Sequence, residues 1–248
     1  MNSARGWSVT ATKSRRRRRK RPLGLLELYD RLFAAYGEQH WWPGETPFEV
    51  MVGAILTQNT AWTNVEKAIT ALREADALNP EALRTRPIDE LAALIRPSGY
   101  FNAKARKLRA FGDYLAGYDD DIERLFASKP LDELREELLA LHGVGPETAD
   151  SMLLYAGNLP SFVIDAYTMR VLQRLGVIDA DSKPSYDAVR AMFHESLPAD
   201  VQVFNEYHAL FVAHGKDVCK SRKPLCSDCV LVENCPAAEG FLREAPTR

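Results

Sequence analysis

The sequence predicts an all-α fold, and three observations carry that expectation. Apolar residues recur at three- and four-residue spacing along most of the chain, alternating strand patterns are scarce, and turn-forming clusters separate the periodic stretches. Leu25, Leu28, Tyr29, Leu32, Phe33 and Tyr36 trace one buried face of a first helix. Leu108, Phe111 and Leu115 repeat the pattern, as do Leu131, Leu134, Leu138 and Leu141. Val171, Leu172 and Leu175 continue it, then Phe204, Tyr207 and Phe211. The breakers are Trp42-Pro43-Gly44, Arg96-Pro97-Ser98-Gly99, His142-Gly143-Val144-Gly145 and the run Gly157 to Pro160. Ser161-Phe162-Val163-Ile164 is extended in character but too short to found a sheet.

With 248 residues, 46% of them apolar and 27% charged, the chain can bury a real core as one large domain or two small ones. No apolar run approaches the ~20 residues of a membrane-spanning helix, and no signal-peptide core follows the basic start. The expected location is therefore cytoplasmic. The formal net charge of −2 hides an asymmetry: residues 1–22 hold nine Lys/Arg and no acid, leaving 23 bases against 34 acids elsewhere. Residues 1–22 read as a basic unfolded tail that attracts phosphate, or as a solvated or targeting segment. An acidic body cannot hold DNA by bulk charge. Any such contact has to come from local basic loops and helix N-termini.

All four cysteines crowd near the C-terminus: Cys219, Cys226, Cys229 and Cys235, spaced C-x6-C-x2-C-x5-C. In a reducing compartment such a quartet implies metal rather than disulfides. Chemistry alone modestly favours zinc, which four thiolates suit well, although four thiolates also hold a cubane [4Fe–4S] cluster. Lys220, Arg222 and Lys223 lie between the first two ligands, where a metal-pinned loop would present them to phosphate. Upstream, Gly143-Val144-Gly145-Pro146 sits between two helical patterns. Two glycines permit a tight hairpin with close backbone approach, and Pro146 suits a helix's first turn. Amides at that helix start can receive a phosphate without any basic side chain. Twenty residues after Gly145 comes Asp165, in the position of a helix N-cap. Trp41, Trp42 and Trp62 read as core anchors or as flat walls for an extruded base.

The hairpin, Asp165 and the cysteine quartet, in this order and spacing, resemble the helix-hairpin-helix DNA glycosylase superfamily from about residue 40 to 236. The cysteine spacing is similar to the iron–sulfur loop of its endonuclease III branch. The resemblance implies two helical domains joined by a cleft. Residues 40–159 would form a helical barrel containing the hairpin, and residues 23–39 with 160–248 a second domain ending in the [4Fe–4S] loop. It further implies a monomer associated with the nucleoid and acting on damaged duplex DNA. Endonuclease III carries a lysine nucleophile two residues after the second hairpin glycine; here that position is Glu147. A carboxylate cannot form the Schiff base that leads to strand cleavage.

Several stretches resemble the endonuclease III-like 3-methyladenine DNA glycosylases: Trp41-Trp42-Pro43, Gly53 to Thr60, Arg96 to Tyr100 with Asn102, Lys104 and Ala105, and Glu147 with Ala149 and Asp150. That likeness implies Asp165 as catalytic carboxylate and a base pocket of Trp42, Trp62, Glu147 and Lys216, with the two indoles sandwiching a cationic base. It implies Gln58 or Asn59 as the wedge filling the gap left by the flipped nucleotide, and phosphate contacts at Gly143, Val144 and Gly145. Lys216 beside a cationic base would have to be neutralised, modified or turned toward phosphate.

Overall fold

A computed structural model describes residues 23–42 and 44–244, and among these there is no strand. The basic tail expected over residues 1–22 lies outside the described residues, as does Pro43. The helices run α1 Leu25–Tyr36, α2 Pro47–Leu56, α3 Trp62–Glu74, α4 Pro80–Thr85, α5 Ile88–Leu94, α6 Phe101–Leu115 and α7 Ile122–Ala127. They continue as α8 Leu131–Leu139, α9 Pro146–Ser151, α10 Ala166–Leu175, α11 Tyr186–Ser196, α12 Val201–Asp217 and α13 Ala238–Glu244. The all-α expectation holds. No described helix is long and apolar enough to cross a membrane.

Local chemistry starts these helices where the sequence places them. Thr46 and Asn79 cap α2 and α4, each followed by a proline at the first helical position. Asp121, Asp165, Ser185 and Asp200 cap α7, α10, α11 and α12, each side chain accepting a backbone N–H three residues on. Each such cap contributes on the order of 1 kcal/mol.

The apolar faces gather into two cores. One runs from Val50 to Ala156 and includes Met51, Ile55, Leu72, Leu108, Phe111 and Leu138. The other joins α1 to α10, α11 and α12: Leu28 and Leu32 pack with Phe162, Leu172, Phe193, Phe204, Tyr207 and Phe211. A π-helical turn, Met152–Ala156, continues α9 across the seam. Its Met152, Leu153 and Ala156 enter the first core, Leu154 enters the second, and Tyr155 packs against both. Such turns re-aim side chains by one position and are frequent at functional sites.

Two buried polar devices fix the frame around this seam. Lys104 on α6 is 2% exposed, and its Nζ donates to Leu56 O and Ser98 O at 2.7 Å each. Burial, with the charge of Lys107 adding to it, lowers its pKa to about 8. The carbonyl end of α2 is thereby met by a cation, as the helix dipole favours. Asp150 on α9 is fully buried and accepts from Arg135 at 2.8 and 3.1 Å and from Ser161 Oγ, while Arg190 lies 3.3 Å away. These residues come from α8, α9, α11 and the segment before Asp165, so one buried carboxylate ties the hairpin helices to the second core. Removing one partner of such a network is strongly destabilising.

Candidate active site

Asp165 sits where the extended segment 161–164 turns into α10. That segment is held by its backbone: Phe162 N donates to His194 Nε2 at 3.1 Å and Ile164 N to Tyr186 Oη at 3.2 Å. The two oxygens of Asp165 then have different surroundings. Oδ1 accepts both Thr168 N at 2.7 Å and Thr168 Oγ1 at 2.9 Å, closing the helix cap. Oδ2 faces His208 Nε2 on α12 at 3.6 Å. Burial by itself would raise the carboxyl pKa, but His208 and the Thr168 donors outweigh it and hold the group below the usual range. Asp165 is thus the N-cap that its sequence position announces, with one oxygen left over to face His208.

Glu147, in the first turn of α9, points into the same electrostatic neighbourhood. Its surface is accessible to water, yet the surrounding protein and the charge of Asp165 raise its pKa, against a smaller opposing effect of His208. Two carboxyl groups whose environments drive them apart, one held ionised and one drawn toward neutrality, are a recurring mark of catalytic clefts.

Aromatic rings line the wall beside them. Trp42 contacts Trp62 with centroids 5.1 Å apart at 87°, Tyr155 at 5.0 Å and 34°, and Trp41 at 5.6 Å and 76°. Trp41 and Tyr155 in turn reach His208 at 6.4 and 5.9 Å. Trp42 and Trp62 are half-buried, so each offers part of a face. The expected sandwich, however, is not formed. Two rings clasping a base stand about 7 Å apart and parallel, twice the ~3.4 Å spacing of stacked bases. Here they touch edge to face, the geometry that the ring quadrupole favours for an aromatic pair. The Trp41 and Trp42 indole N–H groups are buried without an acceptor, whereas Trp62 Nε1 donates to Glu66 at 2.8 Å.

The hairpin forms as its glycines require. Gly143 has φ +85°, in the left-handed region, and a Cβ there would lie 2.4–2.6 Å from the Lys107 side chain. Val144 is buried and donates its amide to Leu141 O, and Gly145 caps α9 with Pro146 behind it. Gln58 and Asn59 are separated by the structure. Gln58 Nε2 donates to Gly143 O and to Thr148 Oγ1 at 3.0 Å each, and its Oε1 accepts from Lys107. Asn59 is exposed with φ +56°, at the tip of the turn.

Cys219, Cys226, Cys229 and Cys235 are all free thiols and line one cavity with Arg174, His214 and Leu231. Among the described residues no three His, Cys, Asp or Glu side chains converge on a point where a single ion could sit. Four cysteines on one small cavity are a donor set that zinc and iron–sulfur clusters both use. Burial raises the thiols of Cys226, Cys229 (to about 11) and Cys235, so a cationic partner is needed to hold them as thiolates. Arg174 anchors the loop through Cys219 Sγ at 3.2 Å, Lys220 O at 2.8 Å and Ser221 O at 2.7 Å. Lys220, Arg222 and Lys223 project from it exposed.

Lys216 is not gathered with the rest. It is exposed in the last turn of α12, eight residues past His208, which is roughly 12 Å along the helix axis. Conversely, His208, Tyr155 and Lys107 were not singled out from the sequence. His208 lies in a helical stretch that reads as core, Tyr155 in an apolar run, and Lys107 on a charged face, so no local signal marks them.

Known proteins resemble this chain along most of its length. Residues 52–216 match the model of the HhH-GPD superfamily of base excision DNA repair proteins, a span that holds Gln58, Trp62, the hairpin, Asp165 and His208. A provisionally named DNA repair glycosylase of Methanocaldococcus jannaschii is 45% identical over 212 residues, 85% of this chain and 95% of that protein. A solved non-covalent endonuclease III–DNA complex is similar in fold, with TM-score 0.76 and 24% identity over 90% of this chain and all of that one. A 3-methyladenine DNA glycosylase of H. pylori, solved with 1,N6-ethenoadenine, has TM-score 0.66 and 26% identity over 78% of this chain and 98% of that one. The chain belongs to the HhH-GPD superfamily of base excision DNA repair proteins.

Proposed function

We propose that the protein is a monofunctional DNA N-glycosylase that hydrolyses the glycosidic bond of alkylated bases such as 3-methyladenine in duplex DNA. The observation that carries this reading is Asp165: a largely buried carboxylate, one oxygen fixed by the helix cap and the other facing His208, which Trp41 and Tyr155 contact in turn. An enzyme working on a base extrudes it from the stack and holds it against flat side chains. Positive charge grows on the sugar as the bond breaks, and an ionised carboxylate in a low-dielectric cleft stabilises it. Alkylation at N3 makes adenine cationic and a better leaving group, so π faces and one anion suffice. Trp42 and Trp62 supply the faces, and Asn59 at the turn tip is the better placed of the two wedge candidates. The phosphates would meet the hairpin around Gly143 and Gly145 and the exposed Lys220, Arg222 and Lys223.

Glu147 stands where endonuclease III has its lysine, and a carboxylate cannot open a covalent path through the sugar. Alkylated duplex should therefore release free 3-methyladenine and leave an unbroken strand at an abasic site, and borohydride should trap no protein–DNA adduct. Release of thymine glycol in preference to 3-methyladenine would replace this substrate reading with one for damaged pyrimidines. Efficient trapping would overturn the monofunctional one.

We also infer that the four cysteines hold a [4Fe–4S] cluster. When bound it would neutralise the thiolates and staple a loop that Arg174, Arg170 and Arg31 also anchor. Protein made with ample iron should carry about four iron atoms per chain and absorb broadly near ~400 nm. Equimolar zinc without iron would defeat the assignment.

A further inference from the structure

His208 is buried at 5% exposure, yet its Nε2 finds no hydrogen-bond partner within the protein, and Asp165 Oδ2 lies 3.6 Å from it. An unmatched buried ring nitrogen normally costs free energy, and such groups persist where they have work to do. The other side of the ring is firmly set. Nδ1 meets Tyr155 Oη at 2.5 Å, and Tyr155 is itself held between the two cores by Trp42. With the Tyr155 hydroxyl donating to Nδ1, the imidazole carries its proton on Nε2, aimed at the carboxylate. Oδ1 of Asp165 already has two donors from Thr168, so Oδ2 is the oxygen His208 can act on.

We propose that His208, oriented by Tyr155, is a positioning residue that donates to Oδ2 of Asp165, keeping the carboxylate ionised and directed into the base pocket. The proposal rests on Asp165 being the catalytic carboxylate. Four groups face Asp165 from the elements around it: Thr168 on its own helix, His208 on α12, Glu147 on α9 and Tyr155 on the π turn. Glu147 and burial both oppose ionisation, and Thr168 supports it from the capped side. His208 supplies the remaining donor on the side that works. Removing it leaves burial less opposed, so the carboxyl should take up a proton at higher pH.

The test is the pH profile of single-turnover base release by the full chain, measured for the wild type, His208→Leu, His208→Gln and Tyr155→Phe. His208→Leu should lose roughly tenfold or more at pH 7, as expected for a hydrogen bond to a charged group, and its acid limb should move to higher pH. His208→Gln places an amide donor near Oδ2 and should recover most of the rate and the limb. Tyr155→Phe leaves the ring's tautomer unfixed and should fall between. Melting temperatures accompany each variant. An acid limb unmoved in His208→Leu would overturn the proposal, as would a limb displaced in His208→Gln as far as in His208→Leu. Should His208→Leu fail to fold, a limb unmoved in Tyr155→Phe, with any rate loss uniform across pH, would overturn it. If Asp165→Asn retains turnover, the catalytic reading of Asp165 fails first; if it is inactive and the limb does not move, only the role of His208 falls.

Discussion

Asp165→Asn should abolish turnover on every lesion, by at least ~10³-fold, while DNA affinity and melting temperature stay close to those of the wild type. The structure makes this a clean substitution. Asparagine caps helices about as well as aspartate, and its carbonyl oxygen can keep both Thr168 contacts at the start of α10. Its amide then faces His208 Nε2, and the two nitrogens can pair once the ring proton moves to Nδ1 and the Tyr155 hydroxyl accepts it. What vanishes is the negative charge, and that charge matters only once the sugar becomes cationic. Interactions realised only in the transition state change rate and not binding. Single-turnover rates beside binding to an uncleavable lesion analogue decide the matter. A variant that retains a tenth of the wild-type rate would remove Asp165 from the chemistry.

Trp42→Ala should slow release of 3-methyladenine by roughly tenfold or more, since a desolvated cation–π contact contributes up to ~2 kcal/mol. A neutral base such as hypoxanthine should lose less, because only stacking is removed. The structure adds a second expectation. Trp42 also packs on Trp41, Trp62 and Tyr155, so its truncation should lower the melting temperature. Trp42→Phe keeps a π face and much of the packing, and should keep the preference for charged lesions with a smaller loss. Because the indoles meet edge to face, a base either stacks on one exposed face or parts the pair. Equal losses on charged and neutral lesions, tracking the melting temperature, would make Trp42 a packing residue only.

The chain's helices were legible because what makes them is local. Apolar residues three and four apart, a capping side chain three residues before the amide it meets, and a proline at the first position all act within one turn. Asp165 belongs to this class: its place before Ala166 fixes it as a cap. Gly143 is legible for a related reason, since a backbone at φ +85° favours a residue without a side chain.

What makes the site is not local. His208 meets Asp165 across 43 positions, Tyr155 meets His208 across 53, and Lys107 meets Gln58 across 49. None of those pairs is implied by periodicity. They follow from how α12, α6 and the π turn pack, which depends on the volumes of both cores. The same packing set Trp42 perpendicular to Trp62, tied Gln58 to the hairpin while leaving Asn59 exposed, and left Lys216 well along α12 from His208. The sequence by itself determined which residues could cap, turn and ligate. Only the tertiary structure decided which of them meet, because a contact between distant helices is fixed by the shape of everything packed between them.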